Sequence, residues 1–192
     1  MGRWEPGATE RLVIAAVDLF TEQGYDATTV AQIAERAGVT RSTFFRHFSD
    51  KRELLVAGQQ TLSKLLADGI TEAPPDASPL QAVAAGLERA SSVLGQANRD
   101  LGARIKAAVA ASTELQERDA LKSVGMAAAM TTALVARGVP EPTAHLAGEL
   151  GVLAFKRGYA QWAESNGDDD KGLAHHALAA LDELRTATAS LG

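Results

Sequence analysis

The feature that most constrains this chain is a tight, glycine-centred turn between two short helical segments near its N-terminus. Thr29 with Gln32 three residues later has the form of a capping box, and Val30, Ile33, Ala34 and Ala37 make the buried stripe of the segment it opens. Gly38 breaks that segment. Thr40 can cap the next one, whose apolar members are Phe44, Phe45 and Phe48. Ahead of the pair, Leu12, Ala15, Ala16, Leu19 and Phe20 form one stripe of a longer helix that Gly24 is placed to stop. Behind it, Asp50 followed by Glu53 predicts a fourth helix over about 50–72, carrying Leu54, Leu55, Leu62, Leu65 and Leu66. Two short helices joined by a tight turn, braced by a helix on either side, form a helix-turn-helix pattern.

Helical spacing continues to the end of the chain. Pro74-Pro75-Asp76-Ala77-Ser78-Pro79 interrupts it, because a run so rich in proline cannot continue a helix. Helices are then expected near 79–95, 99–111 and 114–138. Gly138-Val139-Pro140-Glu141-Pro142 is the next break, with Pro142 suited to a first turn, and a long helix follows to about Asn166. Gly167-Asp168-Asp169-Asp170 ends it, and these aspartates favour the start of a last helix running to about Ala189. Alternating β-branched runs are absent. The fold class expected is therefore all-α, with about nine helices.

Composition narrows the function classes. Hydrophobic residues make up 46% and charged residues 22%, the balance of a globular chain. Without cysteine there are no disulfides and no thiolate metal sites. No apolar run of signal-peptide or membrane-spanning length is present, so a cytoplasmic protein with no membrane partner is expected. The net charge is −5, which argues against nucleic acid until its distribution is considered. From Arg36 to Arg52 the cations Arg36, Arg41, Arg46, Lys51 and Arg52 face the single acid Asp50, a local net of +4. A basic patch on an acidic body can hold one phosphate surface while weakening indiscriminate binding.

Residues 8–55 resemble the N-terminal domain of the tetracycline-repressor family. The resemblance is carried by Leu19-Phe20-Thr21-Glu22-Gln23-Gly24-Tyr25 and by the unbroken stretch from Ala27 to Phe48, glycines and aromatics included. It implies a DNA-binding domain over 1–55, with the helix at 40–46 in the major groove. Thr40 at the cap leaves the N–H groups of Arg41, Ser42 and Thr43 at the helix start, where a phosphate could lie. Arg41 in the first turn suits a bidentate contact to guanine O6 and N7, and Thr43 a hydroxyl or methyl contact to a base. Phe45, Arg46 and His47 match family positions that touch the backbone or thymine methyls. Thr29 and Lys51 match phosphate contacts. Phe44 and Phe48 read as core, and Arg36 as a solvated helix-end charge. Phe45 stands where the family most often has tyrosine, and Ser42 where it often has glycine. The phenyl ring cannot donate to phosphate, so the contacts with DNA are this chain's own.

The same resemblance implies a helical regulatory and dimerisation domain over 56–192, with the last two helices of two subunits pairing into a four-helix bundle. Leu146, Leu150, Leu153 and Ala154 on the long helix and Leu173, Ala177, Ala180, Leu181 and Leu184 on the last one fit that role, or could close an intramolecular core. Phe155, Tyr159 and Trp162 form a second, aromatic stripe. With Arg104, Met126 and Met130 they are the candidate ligand contacts; Lys106, His145 and Arg157 are further pocket candidates. The stretch from Arg137-Gly138-Val139 to Gly158-Tyr159-Ala160-Gln161-Trp162, together with Phe44-Phe45-Arg46-His47-Phe48 and Lys51-Arg52-Glu53, resembles the branch of the family with an acyl-CoA-like ligand domain. What this implies is a homodimeric repressor on palindromic double-stranded operator DNA, released when a small apolar, acyl-CoA-like effector swings the fourth helix. No cofactor is implied.

Three other classes compete with this one. No G-x-S-x-G, P-loop, dinucleotide fingerprint or H-E-x-x-H is present, which argues against an enzyme. A metal sensor would use His145 and Glu149, one turn apart, with His175 and His176. An effector-independent DNA-binding protein is the third reading.

Overall fold

A computed structural model of the chain describes residues 7–165 and 171–191. Among the described residues every regular element is helical. In chain order these are α1 (Ala8–Gln23), α2 (Val30–Arg36), α3 (Arg41–His47), a 3-10 segment (Lys51–Val56), α4 (Gln59–Glu72), α5 (Pro79–Ser91), α6 (Gln96–Ala110), α7 (Thr113–Ala136), α8 (Glu141–Glu164) and α9 (Leu173–Ala189). Their contacts divide the chain into two units. One holds Met1–Ala57 with Ala103–Leu121, the other Gly58–Gly102 with Lys122–Gly192.

The first unit is built on the anticipated stripe of α1. Leu12, Ala15, Ala16, Leu19 and Phe20 are buried, as are Ile33 and Ala34 of α2, Phe44 of α3, and Phe48 and Leu54 beyond it. Gly24 ends α1 at φ 85° and Gly38 makes the α2–α3 turn at φ 66°, conformations that cost a residue with a Cβ roughly 1 kcal/mol or more. The single helix expected over 50–72 is two elements. Asp50 does cap its start, accepting from the N–H groups of Arg52 and Glu53. The turn it opens is 3-10, however, and Gly58 in the left-handed region (φ 79°) stops it before α4 begins. Asp50 caps as expected, but Glu53 does not complete the pair, its carboxylate meeting Arg118 at 3.1 Å instead, and Gly58 is a break that the leucine-rich run conceals.

In the second unit small residues let helices cross closely. A Cβ on Gly69 of α4 would lie 2.7 Å from the Ala85 carbonyl oxygen of α5, and one on Gly86 would lie 2.7 Å from that of Leu66. On α8, a Cβ on Gly158 would lie 2.4 Å from the Ala177 backbone of α9. Leu173, Ala177, Ala180, Leu181 and Leu184 are therefore buried against α8 within the same chain, joined by Ala154. Leu146 and Leu153 point outward instead, 57% and 42% exposed. The apolar residues of α9 and Ala154 of α8 thus lie in a core within the chain, while Leu146 and Leu153 of α8 stay on its surface. Arg137 donates to the carbonyls of Thr71 (3.3 Å), Ala73 (2.8 Å) and Pro74 (2.6 Å), satisfying the C-terminal end of α4. Ser78 caps α5 in a capping box with Gln81, and Pro79 opens it. The aspartates expected to open the last helix, Asp168–Asp170, lie outside the described residues; α9 starts at Leu173 with Gly172 as its cap. No helix is long and apolar enough to cross a membrane among the described residues.

Candidate nucleic-acid interface

The reading element is held from both sides by satisfied caps. Thr29 accepts from the Gln32 N–H at 3.3 Å, while the Gln32 side chain accepts from the Thr29 N–H at 2.9 Å, so the capping box read from sequence is formed. Thr40 accepts from the Thr43 N–H at 3.1 Å, and the two hydroxyls lie 3.0 Å apart. Thr43 thus has its amide and hydroxyl engaged with the cap, leaving its methyl for an outside contact. Phe44 is completely buried, with Phe45 edge-on to it at 5.3 Å and Phe48 tilted at 5.8 Å. Anchored this way, α3 turns its other face to solvent. Arg41, Ser42, Phe45, Arg46 and His47 are all exposed, Phe45 by 52%, and Thr43 is half-buried. Arg41 and Arg46 enter no ion pair among the described residues, so their guanidinium groups remain available for an external anion or base edge.

Other basic residues of the patch are committed inside the unit. Arg36 is not a simple solvated charge. Its guanidinium grips Glu22 of α1 bidentately at 2.9 and 2.8 Å, which holds the Glu22 carboxyl below its ordinary range. His47 lies 3.3 Å from the Thr9 hydroxyl through Nδ1. Lys51, expected at a phosphate, donates to the carbonyls of Tyr25 (2.6 Å) and Thr28 (2.9 Å) and lies 4.0 Å above the Tyr25 ring. Its ammonium has three protons, and these two bonds use two of them. Arg52 bonds Asp50, whose carboxyl is held low chiefly by that side chain. Apart from Arg52 with Asp50, two residues away, these partners are not visible in residue spacing, because each joins positions far apart in the chain.

The network continues into the loop before α2. Thr28 is buried and its hydroxyl donates to the Gly24 carbonyl at 2.7 Å. Gln23 donates to the Ala27 carbonyl, the Thr28 hydroxyl and Gln32, joining the end of α1 to the cap of α2. These bonds tie the end of α1 to the start of α2, the helix that leads into the turn before α3.

The candidate ligand residues are distributed less simply. Met126, Met130, Phe155 and Trp162 are buried in the core of the second unit. Tyr159 packs against that core, edge-on to Trp162 at 5.6 Å, and its hydroxyl donates to the Asn98 carbonyl of α6. Burial pushes its phenol up to about 12. Arg104 is not with them; it belongs to the first unit and pairs with Asp18 of α1. Two open grooves of the second unit have other linings. One runs along Lys64, Ala67 and Thr71 of α4 and Ala129, Thr132 and Ala133 of α7, the other between Pro79, Leu146, Leu150 and Arg185. Among the described residues no three acidic or histidine side chains converge as a metal site. His145 and Glu149 are exposed on α8, and His175 and His176 contact each other on α9.

Comparison with known proteins agrees with the site. Residues 12–57 match the family model described as bacterial regulatory proteins, tetR family. The HTH-type transcriptional regulator TcmR of Streptomyces glaucescens is 38% identical over 74 residues, 38% of this chain and 33% of that protein. The chain spans about a third of the length of the curated relatives it matches first. A TetR-family transcriptional regulator from Mesorhizobium loti has a similar fold over 92% of this chain and 94% of its own, at 21% identity and a TM-score of 0.56. A Thermus thermophilus TetR-family repressor, FadR, solved in complex with lauroyl-CoA, covers 91% of both chains at 22% identity and a TM-score of 0.51.

Proposed function

We propose that this chain, which carries the DNA-binding domain of the bacterial regulatory proteins of the tetR family, is a cytoplasmic transcriptional regulator that binds palindromic operator DNA as a homodimer and represses from it. The observation that carries the reading is the α3 face. Arg41 and Arg46 stand exposed and free of ion pairs among the described residues, on a short helix capped by Thr40 and pinned by fully buried Phe44. Arg41 reads a guanine, the Thr43 methyl meets a base, and Ser42, Phe45, Arg46 and His47 follow the backbone, with Thr29 and the third proton of Lys51 at flanking phosphates. Domain boundaries near residue 55 follow from that division of labour.

Dimerisation follows from the geometry of reading. One such head recognises a half-site, and a two-fold pair recognises a palindrome. Exposed Leu146 and Leu153 on α8 supply apolar surface for it, alongside α9. The effector is small and apolar, of the acyl-CoA class. The support is the aromatic row Phe155, Tyr159 and Trp162 beside Met126 and Met130, together with the lauroyl-CoA complex of the Thermus protein. Release requires that the effector bind the DNA-incompetent state more tightly than the competent one.

Selection from a random-sequence duplex library, followed by gel shifts with and without acyl-CoAs, tests the reading. The expected result is a palindromic consensus bound by two subunits and released by a long-chain acyl-CoA. Binding indifferent to sequence would refute the operator reading. Sequence-specific binding unaffected by any acyl-CoA, but altered by a divalent metal or by nothing, would replace the effector reading with the metal-sensing or effector-independent one.

A further inference from the structure

The corner between the end of α1 and the start of α2 is tied by two glutamine side chains, and the backbone around them fixes which way each amide points. A backbone N–H can only donate and a carbonyl can only accept, so each assigns the amide atom that faces it. The Thr29 N–H meets Gln32 at 2.9 Å, which makes that atom Oε1. The Ala27 carbonyl meets Gln23 at 3.3 Å, which makes that atom Nε2. Gln23 Nε2 also reaches Gln32 Oε1 at 3.3 Å, and the Thr29 hydroxyl donates to the same oxygen at 2.9 Å. Gln32 Oε1 therefore collects three bonds, and Gln32 Nε2 none among the described residues. On a partly exposed residue, that leaves both Nε2 protons for a partner outside the chain.

The other donors of this corner are spent. Thr29 gives both its N–H and its hydroxyl proton to Gln32 Oε1. Thr28 is buried and its hydroxyl donates to the Gly24 carbonyl. Within α2 two side chains can donate, Gln32 and Arg36, and the Arg36 guanidinium is closed on Glu22. In a helix-turn-helix the first helix crosses the DNA backbone while the second enters the groove. Glutamine amides are among the side-chain groups that meet phosphate oxygens there.

We propose that Gln32 is a phosphate contact of the operator interface: its Nε2 donates to a backbone oxygen while Thr29 and Gln23 hold its Oε1 and so aim the amide. This rests on the DNA-binding reading above and supplies a donor that it lacked. The phosphate at this corner is met by the amide that Thr29 orients, since the Thr29 hydroxyl proton is already given to Gln32. The contact is separable from helix capping, because the cap uses Oε1 and the contact uses Nε2.

The test uses the full chain and the best duplex that the wild-type protein selects from a random library, with affinity read by fluorescence anisotropy and stability by urea unfolding. Gln32→Glu keeps the cap, since glutamate serves a capping box equally well, but replaces the donor by an anionic oxygen. Its urea midpoint should stay near that of wild type while its affinity falls by at least roughly tenfold, the scale of a lost bond to a charged group. Gln32→Met removes the donor without adding charge. It should bind about tenfold more weakly, equally on duplexes altered at single base pairs, with the salt slope of wild type. Duplexes carrying one neutral methylphosphonate at a time then locate the contact. Wild type should lose about tenfold at one phosphate of each half-site that Gln32→Met no longer senses, the other sensitive phosphates being shared. On that same duplex Gln32→Glu should regain affinity, because the neutral group no longer repels it, and this result stands should Gln32→Met fold poorly. Wild-type affinity in Gln32→Glu, the same phosphate sensitivity in wild type and both variants, or a loss confined to one base pair would each overturn the proposal. A wild-type protein that selects no duplex would overturn the DNA-binding reading itself, and this contact with it.

Discussion

Replacing Lys51 by methionine separates two roles that a basic residue can have beside DNA. The substitution keeps the aliphatic stem and removes the ammonium that serves the Tyr25 and Thr28 carbonyls. A hydrogen bond from a charged donor contributes about 1.5–3 kcal/mol, and a cation over an aromatic ring at a partly exposed site about 0.5–1 kcal/mol. Lys51 is half-buried, so water recovers part of both carbonyl contacts. Methionine packing against Tyr25 offsets some of the remainder. The net expected loss is about 2 kcal/mol of stability, measured by urea unfolding as a lowered midpoint at unchanged m-value. Operator affinity should fall as well, with a salt slope lowered by less than about one unit. A variant as stable as wild type, with the salt slope reduced by about one and affinity lost equally on all sequences, would refute this reasoning and return Lys51 to a purely phosphate-binding role.

Other outcomes follow from particular contacts. Gly158→Ala would normally gain helix propensity, but its Cβ would meet the Ala177 backbone at 2.4 Å; a net loss of about 2 kcal/mol is expected in thermal or urea unfolding. Asp50 is held below its ordinary range chiefly by Arg52, and also by the N–H groups it caps. A depressed carboxyl contributes stability above its unfolded value and loses it as pH falls through the folded one, so the stability gap between wild type and Asp50→Asn should be open near about pH 7 and close toward about pH 2. Removing the exposed Arg36–Glu22 pair by Arg36→Ala should leave the urea midpoint close to that of wild type, since solvent screens such a pair, and a large drop in the midpoint would contradict this.

Much of this architecture was legible in the residues because local signals and burial pointed the same way. Thr29 with Gln32, Thr40, Gly24 and Gly38 announce helix ends through short-range hydrogen bonds and backbone freedom, and all four act as read. The stripe Leu12, Ala15, Ala16, Leu19, Phe20 is buried for the same reason: period and polarity agree. Gly58 was missed because Asp50 and Glu53 on one side and a leucine-rich run on the other mimic a continuous helix. The fate of Leu146 and Leu153 was not legible either, since an apolar stripe says that a face is to be covered and not by which surface. Arg36 with Glu22, Lys51 with two carbonyls, and Arg52 with Glu114 are long-range polar pairings, for which no spacing rule exists.

The exposed face of α3 remains the centre of the account, and Arg41 its sharpest point. The most direct measurement compares wild type and Arg41→Ala on the selected duplex and on duplexes substituted at each guanine of a half-site. Arg41→Ala should lose about 1–3 kcal/mol on the selected duplex and become indifferent to substitution at one guanine that wild type discriminates. Equal affinity of the two proteins for the selected duplex, with unchanged base preference at every guanine, would contradict it.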